Sequence, residues 1–199
     1  MNPQTETSQK RRAVLLDRDG TLIEQVHYLS RIEQVRLIDG SVDALRLAAA
    51  AGLATVLVTN QSAVGRAMLS EVELQAVHAH LHQQLESAGV RLDGIYFCPH
   101  HRDAVLDAYR RECPCRKPNP GMLLQAAEDL DLELEGSLMV GDRFHDVEAG
   151  HRAGCRSALV ETGYGADEWR NRKPDDPAPD YLARDLLDAV EWFLKTTET

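Results

Sequence analysis

Apolar residues fall in short blocks along this chain, and each block stops at a small or polar residue. Residues 13–16 end at Asp17, 53–58 at Thr59-Asn60-Gln61, 94–97 at Cys98, and 137–140 at Gly141-Asp142; residues 157–160 form a fifth block. Short blocks without a polar face predict strands buried on both sides of a parallel sheet. Between them, residues 42–51, 70–88, 121–130 and 146–153 carry apolar positions at helical spacing. Ser70 and Glu73 form a capping-box pair, and Gly52 and Gly89 mark helix ends. Residues 166–179 are charged and proline-rich, which predicts a surface loop. Residues 180–182 read as a short edge strand and 183–195 as a closing amphipathic helix. Strand–helix alternation of this kind predicts an α/β fold, a doubly wound parallel sheet, in one domain over residues 13–195.

Length and charge narrow the picture. A chain of 199 residues suits one domain. Asp plus Glu total 32 against 22 Lys plus Arg, a formal charge of −10. That surface repels nucleic acid and anionic lipid, so neither is an expected partner. A small anionic substrate stays compatible, because a few cations reverse the field inside one cleft. No long uncharged apolar window predicts a membrane span. Residues 1–12 are polar and read as a disordered tail, lacking the apolar core of a secretory signal. The expectation is a cytoplasmic monomer.

The polar groups sit where strands end, the edge at which open parallel sheets bind ligands. They are Asp17-Arg18-Asp19-Gly20-Thr21, Thr59-Asn60, Arg116-Lys117-Pro118, and Gly141-Asp142-Arg143-Phe144-His145-Asp146. Any one of them also reads as an ordinary helix cap. Their order and shared placement are harder to explain that way. Asp17 and Asp142, on neighbouring strands, would repel unless a divalent cation or a proton lay between them. Oxygen donors favour a hard ion such as Mg2+, and Asp19 lies close enough to approach the same centre. One Asp can attack phosphorus while the other handles the leaving-group proton. Lys117 and the Thr59 hydroxyl would supply a cation and a donor for the phosphoryl oxygens.

Cys98-Pro99-His100-His101 followed by Cys113-Pro114-Cys115 places three thiols and an imidazole in one short stretch. That donor set fits tetrahedral Zn2+ in a structural site. The charged loop between them has little to bury, so a metal would hold what packing cannot. Spacing leaves both His100 and His101 open as the fourth ligand. Cys155 stands apart and reads as a small core residue. His78, His80 and His82 fall on different faces of one helix and receive no role; His145 and His151 read as surface residues. Trp169, Trp192 and Phe193 read as anchors of the C-terminal segment.

At these residues the sequence resembles the Asp-x-Asp phosphatases of the haloacid dehalogenase-like (HAD-like) superfamily. Asp17-x-Asp19-Gly20-Thr21, Thr59-Asn60, Lys117 and Gly141-Asp142-x-x-x-Asp146 match its four motifs in order. The resemblance implies that Asp17 is the nucleophile and Asp19 the acid–base residue. It implies Mg2+ held by Asp17, Asp142 and the main-chain carbonyl of Asp19, with Asp146 orienting the metal shell. The cysteine loop is similar to that of the zinc-containing branch, which takes in heptose bisphosphate 7-phosphatases and histidinol-phosphate phosphatases. It implies His100 with Cys98, Cys113 and Cys115 as zinc ligands. Ser62 after Asn60-Gln61 and the long spacer resemble the heptose enzymes, which serve the making of a lipopolysaccharide precursor. Contacts to a small phosphorylated sugar are then implied for Tyr28, Asn60, Gln61, Ser62, Arg116 and Arg143. The alternative within the branch is histidinol phosphate or a broader set of sugar phosphates. The chain has no room for a large cap domain, so the cleft should be open, bounded by residues 24–31, residues 63–68 and the cysteine loop.

Overall fold

The computed structural model describes residues 10–197. Six strands, β1 (Arg11–Leu16), β2 (Ala54–Asn60), β3 (Gly94–Cys98), β4 (Leu132–Gly141), β5 (Arg156–Val160) and β6 (Tyr181–Ala183), form one sheet in the order β3-β2-β1-β4-β5-β6. Every neighbouring pair is parallel. The helices are α1 (Ser41–Ala50), α2 (Ser62–Gly65), α3 (Glu71–Ser87), α4 (Gly121–Asp129), α5 (Phe144–Arg152), α6 (Gly165–Arg170) and α7 (Leu186–Thr197).

Strand side chains alternate between faces, so each apolar block feeds two cores at once. Val14, Leu16 and Leu57 pack on one side with Leu45, Leu81, Leu85 and Phe193. Ala13, Leu15, Val56 and Val58 pack on the other with Met122, Leu123, Ala126 and Ala149. This double burial explains why the blocks show no polar face. Leu16 is in register with Leu57 on β2 and Val140 on β4. The residues after those strand ends therefore emerge together at one edge of the sheet.

Two strand starts and two short helices depart most from the sequence expectation. Strand β1 begins at Arg11, inside the expected tail, where Arg11 pairs with Leu132 on β4 and its guanidinium meets Asp93 at 2.7 Å. The rest of that tail, residues 1–9, lies outside the described residues. Strand β4 begins at Leu132, ahead of the expected start at Ser137. Its first part alternates apolar and acidic residues and meets β1 across a register shift near Gly136, at φ +80°. Helix α6 forms within the stretch expected to be loop, and the short helix α2 follows β2 without a periodic signal. Two of the three expected C-terminal anchors behave so: Phe193 is fully buried and Trp192 stacks on Tyr181 with ring centroids 4.8 Å apart. Among the described residues, no helix is long and apolar enough to cross a membrane.

Candidate active site

Asp17 follows β1 directly, and its N–H donates to the Val140 carbonyl at 2.9 Å, extending the ladder by one residue. Asp142 follows β4, the neighbouring strand, and Asp146 sits in the first turn of α5. Carboxylate oxygens of these three residues lie within 4.8 Å of one another, and all three side chains are buried. Two glycines make the crowding possible. A Cβ on Gly141 would lie 2.3 Å from Asp146, and one on Gly20 would lie 2.2 Å from Asp142 Oδ2.

The Lys117 ammonium enters this group from the loop before α4. It donates to Asp17 Oδ1 at 2.7 Å and to the Val58 carbonyl at 2.6 Å, and it pairs with Asp146 Oδ1 at 2.7 Å. Asn60 fixes the lysine's main chain from both sides: its Oδ1 accepts from the Lys117 N–H and its Nδ2 donates to the Lys117 carbonyl. One ammonium thus bonds two of the three carboxylates. Burial opposes the charge on Asp146, but His145 and Lys117 beside it hold its carboxyl below the usual range. Asp142 lacks such a partner; burial, then the charges of Asp146 and Asp17, push it up to about 8, although the Tyr164 N–H donates to it at 2.8 Å. An oxygen-only donor set with surplus negative charge fits a hard divalent cation.

Asp19 stands outside that group. Its carboxylate accepts from Arg18 Nη2 at 2.9 Å and from Gln61 Nε2 at 2.9 Å, and it lines the adjoining cleft. Gln61 also donates to Thr59 Oγ1 at 3.0 Å, a bond in which the hydroxyl accepts and keeps its own proton as a donor. The cleft, about 360 Å³, is lined by Tyr28, Ser62, Asn60 and Gln61 and by Arg66, His101, Arg116 and Arg143. Arginines therefore line a cleft in a chain whose net charge is −10. Arg143 also lies over the Tyr164 ring, 4.2 Å from its centroid.

The cysteine loop converges as the spacing suggested. Cys98, Cys113 and Cys115 Sγ and one nitrogen of His100 lie within 4.8 Å of one another. The thiols are not joined as disulfides. His100 Nδ1 lies 3.6 Å from both Cys98 and Cys115, whereas His101 Nδ1 accepts from the Asp103 N–H and its ring lines the cleft. The structure thus separates the two histidines that spacing left open. A hydrogen bond from Cys115 lowers the Cys98 thiol to about 6 against the effect of burial, toward the thiolate that metals bind. Three sulfurs and an imidazole fit tetrahedral zinc.

Three features differ from the sequence reading. Asn60 lines the cleft and also braces the Lys117 main chain, a role the sequence did not suggest. His145, expected at the surface, lines the cleft and places Nδ1 3.0 Å from Asp146 Oδ1. Arg18 and His78 received no role, yet Arg18 is 1% exposed and bonds Asp19, Gln61 and His78. A buried arginine beside Asp17 is invisible to hydrophobic periodicity. Cys155 is buried in the core, as expected.

A parallel sheet carrying an acid after its central strand, a second acid pair after the next strand and a lysine between them defines a HAD-like hydrolase. A family model described as "HAD-hyrolase-like" matches residues 114–189, which hold Lys117, Asp142 and Asp146. The chain is 42% identical over 187 residues to a D-glycero-D-manno-heptose-1,7-bisphosphate 7-phosphatase of Thermosynechococcus vestitus, covering 92% of this chain and 95% of that protein. It is 40% identical to the D-glycero-beta-D-manno-heptose-1,7-bisphosphate 7-phosphatase of Escherichia coli K12, over 92% and 94% of the two chains. Its fold is similar to the crystal structure of D,D-heptose 1,7-bisphosphate phosphatase from B. bronchiseptica complexed with magnesium and phosphate, with a TM-score of 0.80 and 31% identity over 94% of this chain and 99% of that one. This chain belongs to the heptose-bisphosphate phosphatase family of HAD-like hydrolases.

Proposed function

We propose that the chain removes the 7-phosphate of D-glycero-D-manno-heptose 1,7-bisphosphate through a phosphoenzyme on Asp17. The observation that carries this reading is the Lys117 ammonium bonded to Asp17 and to Asp146 beside a third buried carboxylate. Lys117 occupies Asp17 Oδ1, so Oδ2 is the oxygen that attacks phosphorus. The phosphorus–oxygen bond to the sugar breaks, and Asp19, on the cleft side, gives the leaving oxygen a proton. Asp19 then takes a proton from the water that attacks the aspartyl-phosphate, and inorganic phosphate leaves. Lys117 neutralises charge on the transferring group, where a buried donor has most effect. Asp17, Asp142 and the Asp19 carbonyl would hold Mg2+, which supplies positive charge for the phosphoryl oxygens. The cysteine loop would hold structural zinc with Cys98, His100, Cys113 and Cys115.

The cleft supports a substrate with a second anion. Arg66, Arg116 and Arg143 all line it, together with Tyr28 and Ser62. The same cations disfavour histidinol phosphate, whose body carries an ammonium. A cytoplasmic monomer belongs to the same proposal: three cysteines clustered with His100 as metal ligands suit a reducing compartment. Work on an intracellular lipopolysaccharide precursor fits that compartment. The test is phosphate release with Mg2+ from the heptose bisphosphate, histidinol phosphate and simple sugar monophosphates, compared by kcat/KM. A preference for the bisphosphate, abolished in Asp17→Asn, supports the reading. A preference for histidinol phosphate, or a stable phosphoprotein without turnover, overturns it.

A further inference from the structure

We infer that His78 is a positioning residue for Asp19, acting through the buried guanidinium of Arg18. The inference rests on Asp19 being the proton donor proposed above. Arg18 divides its N–H groups among three partners. Nε and Nη2 grip the Asp19 carboxylate at 3.2 and 2.9 Å, Nη2 also reaches Gln61 Oε1 at 3.0 Å, and Nη1 lies 3.1 Å from His78 Nε2. His78 comes from α3, far from the site in sequence, and is 7% exposed. Its ring meets Phe97 edge-on, with centroids 5.8 Å apart. It is not among the residues lining the cleft.

A guanidinium can only donate, so His78 Nε2 must accept and the ring must be neutral with its proton on Nδ1. The surroundings favour that state: burial, then the adjacent Arg18 charge, hold the imidazole down to about 3. A histidine serving only as core filler would not need to accept a bond. Here it is the acceptor for one end of a buried cation, and leaving a buried N–H without a partner is costly. Removing the acceptor frees Arg18 to turn toward Gln61 or Asp19. Both are already bonded to it, and Gln61 is bonded to Asp19 as well. The carboxylate that faces the leaving group then loses its fixed direction.

Leaving-group dependence tests this. A sugar alkoxide needs a proton as it departs, whereas 4-nitrophenolate does not, and kcat/KM reports that first step. The full chain with Mg2+ is assayed on the heptose bisphosphate and on 4-nitrophenyl phosphate. In His78→Leu, kcat/KM on the sugar ester is expected to fall about 10- to 100-fold, with less than about a threefold change on the nitrophenyl ester. His78→Gln, which restores an acceptor, should recover most of the loss. Equal losses on both esters, or no loss on either, overturn the proposal. Asp19→Asn is the control: if it lacks the same selectivity, the role given to Asp19 fails. If Asp19→Asn is selective and His78→Leu is not, only the positioning role fails. Should His78→Leu lose its fold by circular dichroism, His78→Met against His78→Gln carries the same comparison.

Discussion

The Lys117 ammonium donates to Asp17 Oδ1 at 2.7 Å across 100 residues of chain. The same nitrogen meets Asp146 at 2.7 Å, and its side chain is fully buried. A buried cation held by two acids is difficult to remove, because its loss strands both carboxylates. Lys117→Met is therefore expected to cost about 3–5 kcal/mol in urea unfolding of the metal-free protein. With Mg2+ present, kcat on the heptose bisphosphate should fall by at least about 100-fold, as for loss of one buried donor to a developing oxyanion. Full turnover in this variant would remove Lys117 from the reaction.

Asp142 gives a pH prediction. Burial and its two acidic neighbours push it up to about 8, above the ordinary 3.8. Between those values the folded chain holds a proton that the unfolded chain has released. Stability therefore falls as pH rises through that window. In EDTA, the melting temperature should decline from about pH 4 toward about pH 8, and Asp142→Asn should flatten the decline. Mg2+ should raise the midpoint of the wild type at pH 8, because it binds only the folded carboxylate group, and leave the variant nearly unchanged. An identical pH slope in both proteins would show that Asp142 ionises freely.

The arginines lining the cleft predict a split between substrates. Arg116 lines the cleft, and burial together with the nearby Arg66 lowers its pKa, although neighbouring cysteines act in the opposite direction. Two cations held close together await an anion. Arg116→Ala should raise KM for the bisphosphate by about 10- to 100-fold, the range of one lost charge-assisted bond. On 4-nitrophenyl phosphate, which has no second phosphate, the change should stay within a few-fold. Parallel losses on the two substrates would assign Arg116 to the chemical step instead.

The sheet and the main chemical groups were legible because both depend on local rules. An apolar block that stops at Asp17 or Gly141-Asp142 marks a strand end, and strand ends in a parallel sheet share an edge. The cysteine cluster was legible because few other arrangements bring three thiols so close in sequence. What escaped were residues whose role depends on packing. Arg18 sits between Asp17 and Asp19, and nothing in the local pattern gave it a role of its own. His78 shares a helix with His80 and His82, and only the fold shows that α3 turns it toward Arg18. Asn60 was implied as a substrate contact by the resemblance; it lines the cleft, and only the fold shows that its amide also bonds the Lys117 main chain. The start of β4 was hidden by Glu133 and Glu135, which interrupt the apolar pattern ahead of the register shift.

Removing metal from the cysteine loop should separate binding from chemistry. Most residues between His101 and Cys113 are exposed, and Ala104 is the buried exception, so packing alone holds the loop weakly. Cys115 immediately precedes Arg116, whose Nη1 donates to the His100 carbonyl at 3.0 Å. Loss of the metal therefore releases the arginine together with its support. Lys117 is held differently: Asn60, at the end of β2, bonds its main chain, and Val58, Asp17 and Asp146 hold its ammonium. Those anchors belong to the sheet and the site, not to the loop. Cys113→Ser should thus lose bound zinc, which purified wild type should carry at about one ion per chain. It should raise KM for the bisphosphate by about 10-fold or more while keeping most of kcat on 4-nitrophenyl phosphate. Equal collapse of both activities would mean that the loop supports Lys117 as well as Arg116, and metal analysis showing no zinc in the wild type would remove the loop's structural role altogether.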